Sequence, residues 1–223
     1  MGLLDRLLRR PAGVRRVLRN RVSRDRVSRQ PMGPEPVDAA REDRLRHALD
    51  ADPNDTAAFR ELVEIVRRRA AEGHDDGGSQ RAADDAVWAL AEEVARSPRS
   101  WYALIELGRL SVQDDREGAL RRVTTAAERD PSGHALAEAL QVLRDAALYD
   151  DALSLGVGHW RPREHELEAG RQVVHAAIDA GRLGEARRHL DNLALHPGDE
   201  IRVASVRGEL ERALGAAEAG RGR

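Results

Sequence analysis

The residue types that bind metals and move protons are present in this chain, but their spacing does not bring them together. There are eight His. The densest run is His159-Trp160-Arg161-Pro162-Arg163-Glu164-His165, whose two His stand six positions apart with Pro162 between them. No two His anywhere are three or four apart, so the pair that one helical turn would offer to a metal is missing. The run reads as a surface turn between helices. Adjacent carboxylates at Asp75-Asp76, Asp84-Asp85 and Asp150-Asp151 fall in turns or at helix starts, where negative charge suits the helix dipole. There is no Cys, which excludes disulfides and thiolate sites. No Gly-rich phosphate loop with Lys and no Gly-x-Ser-x-Gly elbow occurs. The expectation is a protein with no catalytic residues, no metal and no cofactor, and so not an enzyme.

What remains is the chemistry of Arg against carboxylate. All 37 basic residues are Arg, beside 39 acids. A complete lack of Lys reads as the coding bias of a GC-rich, bacterial genome. Net charge is −2 but unevenly spread. Residues 1–30 hold ten Arg against Asp5 and Asp25, a net of +8, so the remaining chain carries −10. A basic arm precedes an acidic body.

The elements that would position these groups are helices. Apolar residues are 41% of the chain and aromatics only 3%, so a core would be built from Leu, Ala and Val, which suits closely packed helices. Leu62, Ile65 and Val66, and Leu136, Leu140 and Leu143, recur at helical spacing. Pro53, Pro98, Pro131, Pro162 and Pro197 punctuate the pattern. Small residues at Ala86, Ala119, Ala152 and Ala186 repeat at 33, 33 and 34 positions, and Leu62, Leu107, Leu140 and Val174 at 45, 33 and 34. The two series keep step except in the first unit, where twelve extra residues enter, most of them in the polar stretch Glu72–Gln80. That stretch reads as a flexible insertion in a turn, around residues 71–82.

This register resembles the tetratricopeptide repeat, a helix–turn–helix of about 34 residues. Leu104, Leu107 and Gly108 match the first-helix signature, and Ala119, Val123, Ala126 and Pro131 the second. Gly181-Arg182-Leu183-Gly184-Glu185-Ala186 resembles the turn between the two helices. Gly156, His159 and Glu93 depart from the pattern. The resemblance implies an all-α fold, an α-solenoid of antiparallel helix pairs wound as a right-handed superhelix. It implies three segments: a basic amphipathic N-terminal region with a Pro-rich linker at 1–36, a repeat domain at 37–214, and a disordered tail at 215–223. Lone helices at Asp38–Asp50 and Asp199–Leu214 would cap the array, the second with Ile201, Val203, Val206 and Leu210 inward.

The family binds peptides on the concave surface of its first helices. The positions here that match are Arg60, Glu64, Arg67, Tyr102, Ile105, Arg109, Glu138, Val142, Gln172 and Asp179. The family's carboxylate clamp requires Lys and Asn, absent at these points, although Arg60 and Arg109 could meet an acidic peptide. The expected function is a protein–protein interaction scaffold with a protein or peptide partner.

The N-terminal arm offers the alternative. Leu3, Leu4, Leu7 and Leu8 share one face of a short helix opposite Arg6, Arg9 and Arg10, and beyond Pro11 an apolar stripe continues among Arg15, Arg16 and Arg19. Such a segment can lie on an anionic membrane surface, dock on an acidic protein, meet RNA phosphates, or stay a solvated tail. Few aromatics accompany its arginines, which argues against nucleic acid. No window of 18 apolar residues could span a bilayer, so the expected location is the cytoplasm, with peripheral membrane attachment as the variant reading. Oligomeric state is left open.

Overall fold

The computed structural model describes residues 36–72 and 78–221, and within them every regular element is helical. In chain order these are α1 (Pro36–Ala51), α2 (Thr56–Glu72), α3 (Ser79–Ala95), α4 (Tyr102–Ser111), α5 (Arg116–Arg129), α6 (His134–Asp145), α7 (Tyr149–His159), α8 (Leu167–Asp179), α9 (Leu183–Asn192) and α10 (Glu200–Arg221), with a 3₁₀ turn at Leu193–Leu195.

Helix starts follow local hydrogen-bonding chemistry. Asp55 accepts from the amides of Ala57 and Ala58 at 3.0 and 2.9 Å. Asp115 accepts from Gly118 N at 2.8 Å, and Asp199 from Arg202 N at 2.8 Å. Each carboxylate satisfies amides that have no intrahelical partner. Two caps reach across units. Asn54 Oδ1 accepts from the amides of Trp101 and Tyr102 at the start of α4, and Asp130 closes α6 through Ala135 N at 2.7 Å. Two helix ends use a left-handed residue. Gly181 has φ +69° after α8, and its follower Arg182 donates to Ala177 O. After α6 the same turn is made by Ala147 at φ 58°, with Leu148 donating to Leu143 O.

Helices pair as α2 with α3, α4 with α5, α6 with α7 and α8 with α9, and each second helix also packs on the first helix of the next pair. From α4 onward, consecutive first helices make substantial contact. The chain is therefore an all-α solenoid. The positions read as repeat markers are core: Leu62, Leu107, Leu140 and Val174 are buried, and Ala119, Ala152 and Ala186 have no exposed surface. Gly108 and Gly156 are close-approach points. A Cβ on Gly108 would lie 2.6 Å from Val123 Cγ1, and one on Gly156 2.9 Å from Val173 Cγ2. The irregular Gly156 thus lets α7 settle on α8, with Val173 filling the space.

Four expectations need correction. Ala86 is only half-buried, and Ala83, Val87, Leu90 and Ala91 carry the contact of α3. Ala86 is the eighth residue of α3, whereas Ala119, Ala152 and Ala186 are each the fourth of their helices, so the same face is reached by different residues. The extra residues of the first unit mostly lengthen helices: α2 and α3 have 17 residues each, α2 running through Glu72 and α3 starting at Ser79. The expected tail from 215 is helix as far as Arg221. Its Ala-rich sequence favours helix, and Glu218 and Arg221 are tied back to Arg187 and to the Gly181 carbonyl. Finally, Ile201 is 81% exposed, while Val203, Leu210 and Leu214 face inward. The functional assignments to residues 1–35, with Leu3, Leu4, Leu7, Leu8, Arg9, Arg10, Arg15 and Arg16, lie outside the described residues.

Candidate functional site: the first-helix face

The ten positions proposed for partner contact divide by burial. Arg60, Glu64, Arg67, Arg109 and Asp179 are exposed, and Glu138 is half-buried. Four expected contacts are not open surface. Tyr102 is 3% exposed, Ile105 0%, Val142 4% and Gln172 5%. Ile105 and Val142 belong to the main core. Tyr102 packs edge-on against Phe59 and Trp101 at 5.5 and 5.8 Å, and its hydroxyl accepts from Arg60 Nε at 3.1 Å. Burial pushes its phenol pKa above the ordinary range, with Glu106 adding to it. Helical spacing alone places a residue on a face. Where neighbouring first helices touch, part of that face becomes seam, and these four lie in it.

Around the seam, exposed and half-buried groups form a ribbon of ion pairs that crosses from helix to helix, joined through the buried Gln172. Arg109 of α4 reaches Glu138 of α6 at 3.3 Å. Arg144 of α6 reaches Asp179 of α8 at 2.7 Å and also donates to Gln172 Oε1. Gln172 in turn donates to Glu168 Oε1 at 2.8 Å. Arg171 grips Glu168 with two nitrogens at 2.8 Å and spans to Glu209 of α10 at 3.3 Å. The Glu168 carboxyl is half-buried, and burial pulls its pKa upward. Hydrogen bonds from Arg171 and Gln172 outweigh that and hold it below the usual range. Burial pushes His175 down, and Arg144 and Arg171 push the same way.

Two crevices open beside the ribbon. One, of about 250 Å³, lies between α6 and α8 and is lined by His134, Ala137, Glu138, Gln141, Glu166 and Glu168. The other, of about 510 Å³, lies at the starts of α8 and α10, where Arg163, His165, Leu167, Asp199, Arg202 and Val203 meet. His165 is not the surface residue its run suggested. It is 6% exposed, its ring lies against Gly133, and its Nδ1 has no hydrogen-bond partner among the described residues. Burial, then the charge of Arg161, pushes its pKa down. Among the described residues no group of three or more His, Asp and Glu has the arrangement of a metal site.

Sequence reading missed Arg144, Glu168 and Arg171, which knit the ribbon. The charge and local spacing of Glu168 with Arg171 and Gln172 were visible, but Arg144 and Arg171 also have partners 28 to 38 residues away in sequence. The lining residues His134 and Gln141 were missed for the same reason: a crevice belongs to two helices and to neither sequence alone. No protein-family model matches the chain, and no curated protein sequence matches it. No described helix is long and apolar enough to cross a membrane.

Proposed function

We propose that the protein is a non-enzymatic scaffold of tetratricopeptide-like repeats that holds a segment of another protein along its first-helix face. The observation that carries this reading is the crevice between α6 and α8, flanked on both sides by charged side chains that successive first helices contribute. A stacked array cannot bury every face of its helices, and the face left open is continuous from unit to unit. The ribbon's charges are already paired, so a polar partner would exchange salt bridges instead of bringing new charge to an empty site. Affinity would then depend on fit and on salt.

The test is capture of partners from an extract of the source organism by the immobilised full chain. Glu138→Arg combined with Gln141→Arg changes the crevice without touching the core. Loss of the captured species, with the helical circular dichroism unchanged, supports the reading. Undiminished capture removes this face from consideration.

A second reading rests on the arm. An apolar stripe among ten Arg in residues 1–30 is the composition of a surface-seeking amphipathic helix. On that reading the protein is cytoplasmic and peripheral at an anionic membrane. Flotation of the full chain with phosphatidylglycerol vesicles, lost when Leu4 and Leu8 are both changed to Asp, is the expected result. A chain that stays at the bottom of the gradient rejects it.

A further inference from the structure

The turns that lead into α8 and α10 meet around one cavity, and the hydrogen-bonding capacity left unmet there is all of one kind. The cavity has a volume of about 510 Å³, within the roughly 300–1,000 Å³ of small-molecule pockets. Local sequence builds one side of it. Pro162 interrupts the helical pattern, His165 N closes the turn onto Arg161 O at 3.0 Å, and Glu166 N is pinned to Ser132 O at 2.8 Å. That turn carries the His165 ring inward against Gly133. His165 lines the cavity yet is only 6% exposed, and neither of its ring nitrogens has a hydrogen-bond partner among the described residues. Next in the chain, α8 starts without a side-chain cap, and among the described residues no group accepts from the amides of Leu167 or Glu168. These amides carry the positive end of a 13-residue helix.

The charged residues around the cavity divide by what they already hold. Each carboxylate is engaged. Glu164 pairs with Arg161 at 3.4 Å, Glu166 faces His134 at 3.6 Å, Glu168 pairs with Arg171 at 2.8 Å, and Asp199 accepts from Arg202 N at 2.8 Å. The cations are not. The guanidinium groups of Arg163 and Arg202 make no ion pair or hydrogen bond among the described residues. His196 adds a donor: its Nδ1 accepts from Gly198 N at 2.9 Å, which puts the ring proton on Nε2. Unpaired donors beside carboxylates that are already taken suit an anion, and their number selects which one. Two guanidinium forks, two imidazoles and two amides exceed the roughly four lone-pair sites of a carboxylate, and they match the acceptor oxygens of a phosphate group. Apolar Leu167, Pro197 and Val203 line the same space, which is larger than a bare anion fills. We propose that this cavity binds a small organic phosphate monoester, its phosphate held by Arg163, Arg202, His165 and the start of α8, and its organic part against Pro197 and Val203. The site adjoins the crevice between α6 and α8 at Glu166 and Glu168, but its donors are its own, so it is tested apart from partner capture.

Isothermal titration calorimetry of the full chain with glycerol phosphate and with AMP tests this, and proton–nitrogen correlation spectra locate the site. At least one of the two esters binds one to one and shifts the amide resonances of Leu167 and Glu168. Glycerol and adenosine, which lack the phosphate, do not bind. Inorganic phosphate binds at least about tenfold more weakly than the better ester, for want of the organic part. Arg163→Gln combined with Arg202→Gln removes two exposed guanidinium groups without touching the core and weakens the ester at least about tenfold. Arg121→Gln, on α5 and outside the cavity lining, leaves binding as it was. Absence of binding by both esters overturns the proposal, as does binding that survives the double change or shifts only other resonances. Equal affinity for inorganic phosphate overturns the assignment to an ester.

Discussion

The two ends of the solenoid are closed by lone helices held in different ways. At the start, α1 is fastened largely by charge. Arg41 pairs with Glu61, Arg68 with Asp38, Arg69 with Glu42, and Arg46 with both Glu42 and Glu93. Its apolar contribution is Leu49, with Leu45 and Ala48 partly buried beside it. At the other end, α10 sinks Val203, Leu210 and Leu214 into the main core, and its ion pairs to Arg171 and Arg187 lie at the edges. Exposed ion pairs are worth little individually and are screened by salt, whereas buried apolar area is not. The core is likewise split in two: one cluster runs from Leu49 to Leu107 and the other from Ile105 to Leu214, with α4 contributing to both. A quasi-linear array of this kind unfolds from its weaker end, and here that is the α1 end.

The sharpest way to break this comparison is a matched pair of core truncations. Leu140→Ala removes a fully buried side chain from the middle of the larger cluster and should cost about 3–4 kcal/mol in urea unfolding. Leu49→Ala, at the charged end, should cost no more than about 2 kcal/mol, because α1 can collapse onto the gap. Equal losses would mean that both ends share one cooperative core.

Overpacking gives the next effect. Gly170→Ala puts a methyl 2.5 Å from Leu193 and 2.7 Å from the Trp160 ring, and should destabilise by about 1–3 kcal/mol. Thermal unfolding followed by Trp fluorescence reports it directly. An unchanged midpoint would show that Trp160 can retreat.

How much of this was legible in advance follows from what each signal depends on. The solenoid was readable because small residues such as Ala119, Ala152 and Ala186, and apolar ones such as Leu140, obey spacing within single helices. The first unit was misread because its extra residues extend α2 and α3 by whole turns, which moves the close contact from Ala86 to Ala83 without changing the local pattern. Tyr102, Ile105, Val142 and Gln172 were misplaced because exposure on a first helix depends on its neighbour, which no single-helix pattern encodes. Ile201 was misplaced against the spacing itself: at about 100° per residue it falls on the side of α10 opposite Val203 and Leu210, away from α8 and α9.

The clasp on α1 predicts a difference in salt response. Glu42 accepts from Arg46 at 2.9 Å and from Arg69 at 2.6 Å and is 9% exposed as a residue. Burial raises its pKa, but the two guanidinium groups prevail and hold the carboxyl below its ordinary value. Glu42→Gln should cost about 1 kcal/mol, read as faster amide exchange in α1. Raising salt should speed exchange in wild-type α1 and leave α10 nearly unchanged. Parallel salt responses would remove the distinction between the ends.

Acid should act in the opposite sense, through the C-terminal half. Burial pushes His165, His175 and His189 below their ordinary value of 6.5. A depressed His pKa means that the unfolded chain binds protons the folded one refuses. This contribution to stability is therefore complete above pH 6.5 and is lost as pH falls from there toward the folded-state values. Glu42 and Glu168 are held below 4.5, so their contribution is lost only at lower pH, as the medium falls through their depressed values. The urea midpoint of the whole chain should begin to drop just below pH 6.5. His175→Gln should flatten that first step, and a midpoint that is level from pH 7 to 5 would contradict it.

The smallest effect is a gain. Ala147 ends α6 at φ 58°, the position that Gly181 occupies after α8, and both turns close with the same pair of backbone hydrogen bonds. A side chain in that conformation carries a penalty of about 1–2 kcal/mol, part of which glycine returns through its greater freedom in the unfolded chain. Ala147→Gly should therefore raise stability by about 0.5–1 kcal/mol, measurable as a shift in urea midpoint at constant slope. Since α6 lies in the larger cluster, the gain should appear in global unfolding while exchange in α1 stays as it was. A gain that slowed exchange in α1 equally would join the two ends into one unit.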